Sequence, residues 1–141
     1  MRRLYLIATI AGRTVAIGSE QVDSVVDIGD VVAAPRTAHA VRGLAALRSR
    51  VVTVIDTRAA LDLPPGGDAA RGVILRVDGH LYAFLVDALD DVAEHELQPL
   101  ANGMALDAAW QGIVLGLIDR GGEPMLAIDL ARLVPALELA A

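Results

Sequence analysis

The chain has 141 residues, with 12 basic and 18 acidic side chains, a formal net charge of −6 and a sequence pI near 4.9, a balance that disfavours a general nucleic-acid or anionic-membrane binder and points to protein partners. Every basic residue is arginine and no cysteine occurs, which excludes a Walker A loop, a pyridoxal Schiff base, a kinase phosphate lysine, thiol nucleophiles, zinc–cysteine sites and disulfides. Although 55% of residues are hydrophobic, 25 are alanine, the apolar runs are too short to cross a bilayer, and the opening residues carry no signal-peptide core, so a cytoplasmic domain without direct membrane insertion is expected.

In chain order, residues 4–10 and 14–18 read as strands flanking Ala11-Gly12-Arg13, a hairpin pattern. Residues 73–77 and 81–86 repeat it around Asp78-Gly79-His80. Setting Gly12 on Gly79 gives an offset of 67 that places Val22 on Leu89, Asp23 on Asp90 and Val25 on Val92. Further along, Arg42-Gly43-Leu44 resembles Gln111-Gly112-Ile113 at an offset of 69, and Val54-Ile55-Asp56 resembles Ala127-Ile128-Asp129 at 73. The chain therefore reads as one domain of two similar halves, about 4–63 and 73–137. Between them a linker covers about 64–72, in which Pro64-Pro65-Gly66-Gly67-Asp68 can continue neither a helix nor a central strand.

Each half runs hairpin, polar turn region, further short strands and a short terminal helix, which suggests a pair of small barrels. Asp56 and Asp129 stand where helix N-caps are expected, before Thr57 and Leu130. A half of this size buries too little surface alone, so the two must pack together, and their seam is a candidate groove for a partner. Residues 1–63 hold eight arginines and six acids, a balance of +2, whereas residues 64–141 hold four and twelve, a balance of −8. Arg36, Arg42, Arg48, Arg50 and Arg58 suggest either a basic docking face or a charge balance between the halves.

Three site readings compete with structural ones. Asp56 and Asp129 invite comparison with a symmetric carboxylate dyad of a hydrolase, but Arg58 and Ala131 stand where glycine would follow such an aspartate, and N-capping is favoured. Asp87, Asp91 and His95 recur every four residues and would share a face if helical, as a metal site requires; a solvated acidic edge is the plainer reading. Trp110, the single tryptophan, is expected to anchor the core or the seam. None of Ser19, Ser24 and Ser49 lies in a nucleophile elbow, and no cofactor or metal is implied.

Val41-Arg42-Gly43-Leu44, Ala45-Ala46-Leu47-Arg48 and Val52-Thr53-Val54-Ile55-Asp56-Thr57-Arg58, within residues 35–58, resemble the signature stretch of the CheW family of chemotaxis coupling proteins. The opening hairpin with Val22 and Val25 behind it, Leu85-Val86-Asp87 before Val92, and residues 126–133 follow in family order, so the resemblance spans nearly the whole chain. It implies a mainly β fold of two closely packed five-stranded SH3-like barrels with short helices. It also implies a non-catalytic cytoplasmic adaptor that joins the regulatory domain of a CheA-type histidine kinase to the cytoplasmic tip of a methyl-accepting chemoreceptor in two-component signalling. The positions matching the receptor surface are Val22, Val25, Arg48 and Leu89; the kinase surface matches only loosely, at the barrel ends. Ser24, Ala46, Ser49, Thr53 and Ala88 depart from residues common in the family, and the alternative reading is a divergent CheW-domain regulator of a kinase in a non-motility pathway.

Overall fold

The chain crosses between two sheets, and that crossing sets the architecture. The computed structural model describes residues 2–33, 39–66, 71–100 and 105–134. The strands are β1 (Arg2–Ile10), β2 (Arg13–Gly18), β3 (Val22–Asp27), β4 (Val41–Leu47), β5 (Arg50–Ile55), β6 (Arg71–Val77), β7 (His80–Val86), β8 (Ala88–Glu96), β9 (Val114–Arg120) and β10 (Glu123–Ile128). Short helices intervene: α1 (Thr57–Ala60) and α2 (Ala108–Gln111), with the single 3-10 turns η1 (Ser19–Gln21) and η2 (Leu130–Leu133). One five-stranded sheet has the order β8-β1-β2-β10-β9 and the other β3-β6-β7-β5-β4. Both curl into small SH3-like barrels.

Adding five to each strand number converts one sheet order into the other, so the duplication is structural. The ladder registers agree with it residue by residue. Val22 lies opposite Leu75 as Leu89 lies opposite Ala8, and Val25 opposite Val73 as Val92 opposite Leu6. The parallel pairs Val54 with Ala83 and Ala127 with Ala16 are equivalent too. The offset of 67 thus holds from β1 to β3, and 73 applies to β4 and β5.

Two sequence expectations need correction. The sheets do not follow the sequence halves: η1 and Asp87 carry the chain across, so the hairpin of each half joins the last three strands of the other. A continuous barrel spans β3 to β7, and a split barrel unites β1 and β2 with β8 to β10. The interval at 64–72 therefore connects strands within one barrel; Arg71 and Gly72 already belong to β6, and residues 67–70 lie outside the described set. The second correction concerns Gly43, whose counterpart is Gly116 and not Gly112. A Cβ on Gly43 would collide with the carbonyl oxygen of Val32, and one on Gly116 with that of Gln98, because each strand accepts a backbone bridge there. Gly112 instead ends α2.

Strand alternation divides the core into three layers. Tyr5, Ile7, Ala16, Ile118, Met125 and Ala127 fill the split barrel. Val52, Val54, Ile74, Leu81, Ala83 and Leu85 fill the continuous one. The intervening residues, among them Leu6, Ile17, Ile55, Val73, Phe84, Trp110 and Ile128, form a larger layer between the sheets. Central strands are buried on both faces, which is why they read as unbroken apolar runs. Trp110 seals this layer, with the Arg13 guanidinium 4.9 Å above its ring.

Paired two-residue turns close the hairpins. Ala11-Gly12 and Asp78-Gly79 both take positive φ at each residue, the type I′ geometry that suits strand twist. The β9–β10 turn uses Gly121-Gly122, but its counterpart in the β4–β5 hairpin is Arg48-Ser49, at φ of 49° and 66°. Two side chains there sit in a region that disfavours them. Ser49→Gly is expected to raise the unfolding free energy by about 1 kcal/mol, read as a higher denaturation midpoint at unchanged slope.

Candidate interaction site at the barrel seams

Each barrel has a seam where its edge strands meet, and the two seams differ. In the split barrel Arg120, at the end of β9, donates to Asp90 at 2.9 Å and lies 3.1 Å from Asp91, both on β8. The hydrogen bond to Asp90, aided by the charges of Asp90, Asp91 and Glu123, pushes the Arg120 guanidinium pKa further up from its ordinary value. The equivalent positions in the continuous barrel are Asp23, Ser24 and Leu47, and no clamp forms. A cleft of about 200 Å3 opens there, bordered by Asp23, Ser24, Leu47, Arg48, Arg50 and Val52. Among the described residues, neither Arg48 nor Arg50 makes an ion pair.

A second cleft, of about 450 Å3, lies between the barrels against η1, β6 and η2, with Val22 in its wall and Asp23 shared with the first. Val22 and its counterpart Leu89 are half-buried against the layer between the sheets. Val25 is 37% exposed and its counterpart Val92 55%. Arg48 and Val22 therefore border neighbouring clefts, whereas Val25 and Leu89 line neither. Val92 belongs with Val25 by register and exposure. The repeat alignment already paired the two, so its signal was present in the sequence.

The arginine-rich stretch is divided between structural and open roles. Arg42 pairs with Asp56 at 3.0 Å, and Arg58 with Asp87 at 2.9 Å. Arg48 and Arg50 stand at the seam cleft, and Arg36 lies outside the described residues. Among the described residues, Arg2 with Glu94 and Arg58 with Asp87 balance charge from the first half to the second, and Arg71 with Asp27 joins the halves in the opposite sense.

The Arg58–Asp87 pair joins the barrels, and nothing in the sequence signals it. Asp87 Oδ2 accepts from the Ala11 amide at 2.6 Å as well as from Arg58, whose other terminal nitrogen donates to the Pro64 carbonyl at 3.4 Å. One carboxylate at the β7–β8 crossover thereby ties α1 to the β1–β2 turn. Both partners are about three-quarters buried, so these charge-assisted bonds are little weakened by solvent.

Asp56 and Asp129 do not form a dyad. Asp56 accepts from the Ala59 amide at 3.2 Å and from Arg42, while Asp129 accepts from the Ala131 amide at 3.0 Å and faces its own Arg132 at 3.6 Å. All four oxygens have local partners, as N-capping requires. Nor do Asp87, Asp91 and His95 converge. The stretch after Asp87 is strand and not helix, so residues four apart are spread about 13 Å along it instead of one helical turn and share no site; Asp87 holds Arg58, Asp91 holds Arg120, and His95 lies against Tyr5 with ring centroids 6.5 Å apart.

A model of the CheW-like domain matches residues 4–138. The chain belongs to the CheW-like domain family. Among solved structures it is similar to the scaffolding protein TtCheW from Thermoanaerobacter tengcongensis, with a TM-score of 0.81 at 20% identity over 94% of this chain and 92% of that one. No curated protein sequence matches it significantly. Membership of the CheW-like family assigns the chain a scaffold or adaptor role in chemotaxis-type signal transduction. Among the described residues no helix is long and apolar enough to cross a membrane.

If Asp87 is the joint between the barrels of this CheW-like domain, Asp87→Ala should lower the unfolding free energy by about 2 kcal/mol, because the Ala11 amide and Arg58 both lose their acceptor. Arg58→Ala should cost less, since Asp87 keeps the amide. Chemical denaturation of the two variants checks the order.

Proposed function

We propose that this chain is a non-catalytic cytoplasmic adaptor that docks the regulatory domain of a CheA-type histidine kinase and the cytoplasmic helical hairpin of a methyl-accepting chemoreceptor. The observation that carries this reading is the family match across residues 4–138, combined with the unclamped seam where Arg48 and Arg50 lack ion pairs. An apolar helix face against Val22, Val25, Leu89 and Val92 would supply burial, and Arg48 a directional hydrogen bond to an acceptor on the helix. Holding both partners on one rigid body raises the effective concentration of each for the other and biases the kinase between its states. Coupling then needs both surfaces occupied together.

A second reading, a regulator of a kinase outside motility, draws on one feature of the seam. Ser24 lines the cleft beside Arg48 and departs from the glutamate common in the family. That change removes a negative charge from the rim and suits a receptor with its own complementary sequence.

Two measurements separate these readings. The wild-type chain should retain the cognate kinase regulatory domain in a pull-down, with Kd of tens of micromolar or tighter. Arg48→Ala should weaken receptor-hairpin binding about tenfold while leaving kinase affinity within about twofold. Unchanged receptor affinity in that variant favours the second reading, and loss of all kinase binding in the wild type contradicts both.

A further inference from the structure

The two halves cover equivalent sheet faces differently. Val32 bridges β4 and Gln98 bridges β9 at equivalent points, and the carbonyls of Ala40 and Ile113 accept from the equivalent amides of Asp56 and Asp129. Between those points the first half has seven residues, 33–39, and the second has fourteen, 99–112. The longer connection carries Leu106 and the Trp110 of α2, both packed in the layer between the sheets. The offset of 73 pairs Leu44 with Leu117 and Val51 with Pro124. Leu44 and Val51 are exposed, whereas Leu117 is half-buried and, with Ala105 and Leu106 of the longer connection, lines a cleft of about 250 Å3.

Leu106, Leu117, Pro124, Met125 and Leu126 make this cleft apolar, and among the described residues that line it Arg13 alone is charged. Met125 and Leu126 are buried and Arg13 is exposed, so the floor is hydrocarbon and the guanidinium stands at the mouth, with the hydroxyl of Thr14 also on the lining. The wall is held in place, since Gln111 Nε2 donates to the Leu106 carbonyl at 2.7 Å. Arg13 is held too, over the ring of Trp110, a contact that stabilises the charge but uses no N–H donor. Among the described residues no acceptor pairs with those donors. The counterpart of Arg13 is His80, and the shorter connection has no tryptophan, so the barrel itself does not require this arrangement.

We propose that this cleft binds a small free carboxylate with an apolar chain, the carboxylate on Arg13 and the chain against Leu106, Leu117 and Leu126. A guanidinium matches a carboxylate through paired N–H donors, and an apolar cleft with one fixed polar group is the common form of a small-ligand site. At the ~30 Å3 that a water takes in the liquid, the cleft holds about eight non-hydrogen atoms, the size of hexanoate. Charge at the mouth over a hydrocarbon floor places the acid outermost, the reverse of an inserted aspartate or glutamate side chain, whose carboxylate leads. None of the lining residues borders the clefts that contain Arg48 and Val22. The site therefore goes beyond the proposed coupling role, and its failure leaves the kinase and receptor measurements unaffected.

Titration of the full chain with sodium hexanoate, read by the fluorescence of Trp110, the single tryptophan, tests the assignment. Ligation of the guanidinium above the ring should give a saturable change with Kd of about 1 mM, and methyl NMR should shift Leu117 and Leu126. Hexanamide, equal in size but uncharged, should bind about tenfold more weakly, as should acetate, which has the charge without the chain. Arg13→Gln should erase the difference between hexanoate and hexanamide, an outcome that disturbed packing alone does not produce, and Arg13→Lys should restore part of it. Equal binding of hexanoate and hexanamide, equal binding of hexanoate and acetate, or no saturable change up to tens of millimolar overturns the proposal. Tighter binding of N-acetyl-alanyl-leucine through its terminal carboxylate would make this a site for a peptide C-terminus and overturn the choice of occupant.

Discussion

The apolar layer between the two sheets is the constraint on which the rest depends. Each barrel is too small to satisfy itself: its interior holds only a handful of side chains, and the opposite face of its sheet is as apolar as the inner one. A sheet of that kind must be covered on both sides. Here each sheet covers the other, so Phe84 from one and Ile17 from the other share a single layer. Exchange of hairpins between the sequence halves makes this contact covalently unavoidable, because separating the barrels would pull β3 from β6 or β8 from β1.

Symmetry then becomes a ruler for the surface. Where the halves agree, as at the type I′ hairpins and the glycines that admit a crossing carbonyl, the shared feature belongs to folding. Where they disagree, the difference is local and chemical. Arg120 clamps one seam and Leu47 leaves the other open; Arg58 fills one side of the joint and Ala131 leaves the other vacant.

The Arg48-Ser49 turn is the point at which local preference and tertiary placement conflict. Glycine would relieve both positive φ values, and the equivalent turn uses it twice. Arg48 stands at the mouth of the unclamped seam, so this turn sets where its side chain meets the cleft.

The repeat, the hairpins and the capping aspartates were legible from residues 4 to 137 because they rest on short-range rules: alternating burial, turn chemistry and a carboxylate before a helix. The helical spacing of Asp87, Asp91 and His95 misled for the same reason, as a four-residue interval carries no information about whether the stretch is strand or helix. The exchange of strands between halves was not legible, because β3 has the same alternation whichever hairpin it joins, and only competition for the layer between the sheets decides. The Arg58–Asp87 joint and the two clefts belong to that second kind as well: residues distant in sequence meet there only after the sheets have stacked. Sequence alone thus determined that there would be two small barrels built from a repeated hairpin unit; tertiary structure decided which strands make each barrel, which residues line it, and hence where the surfaces for other proteins lie.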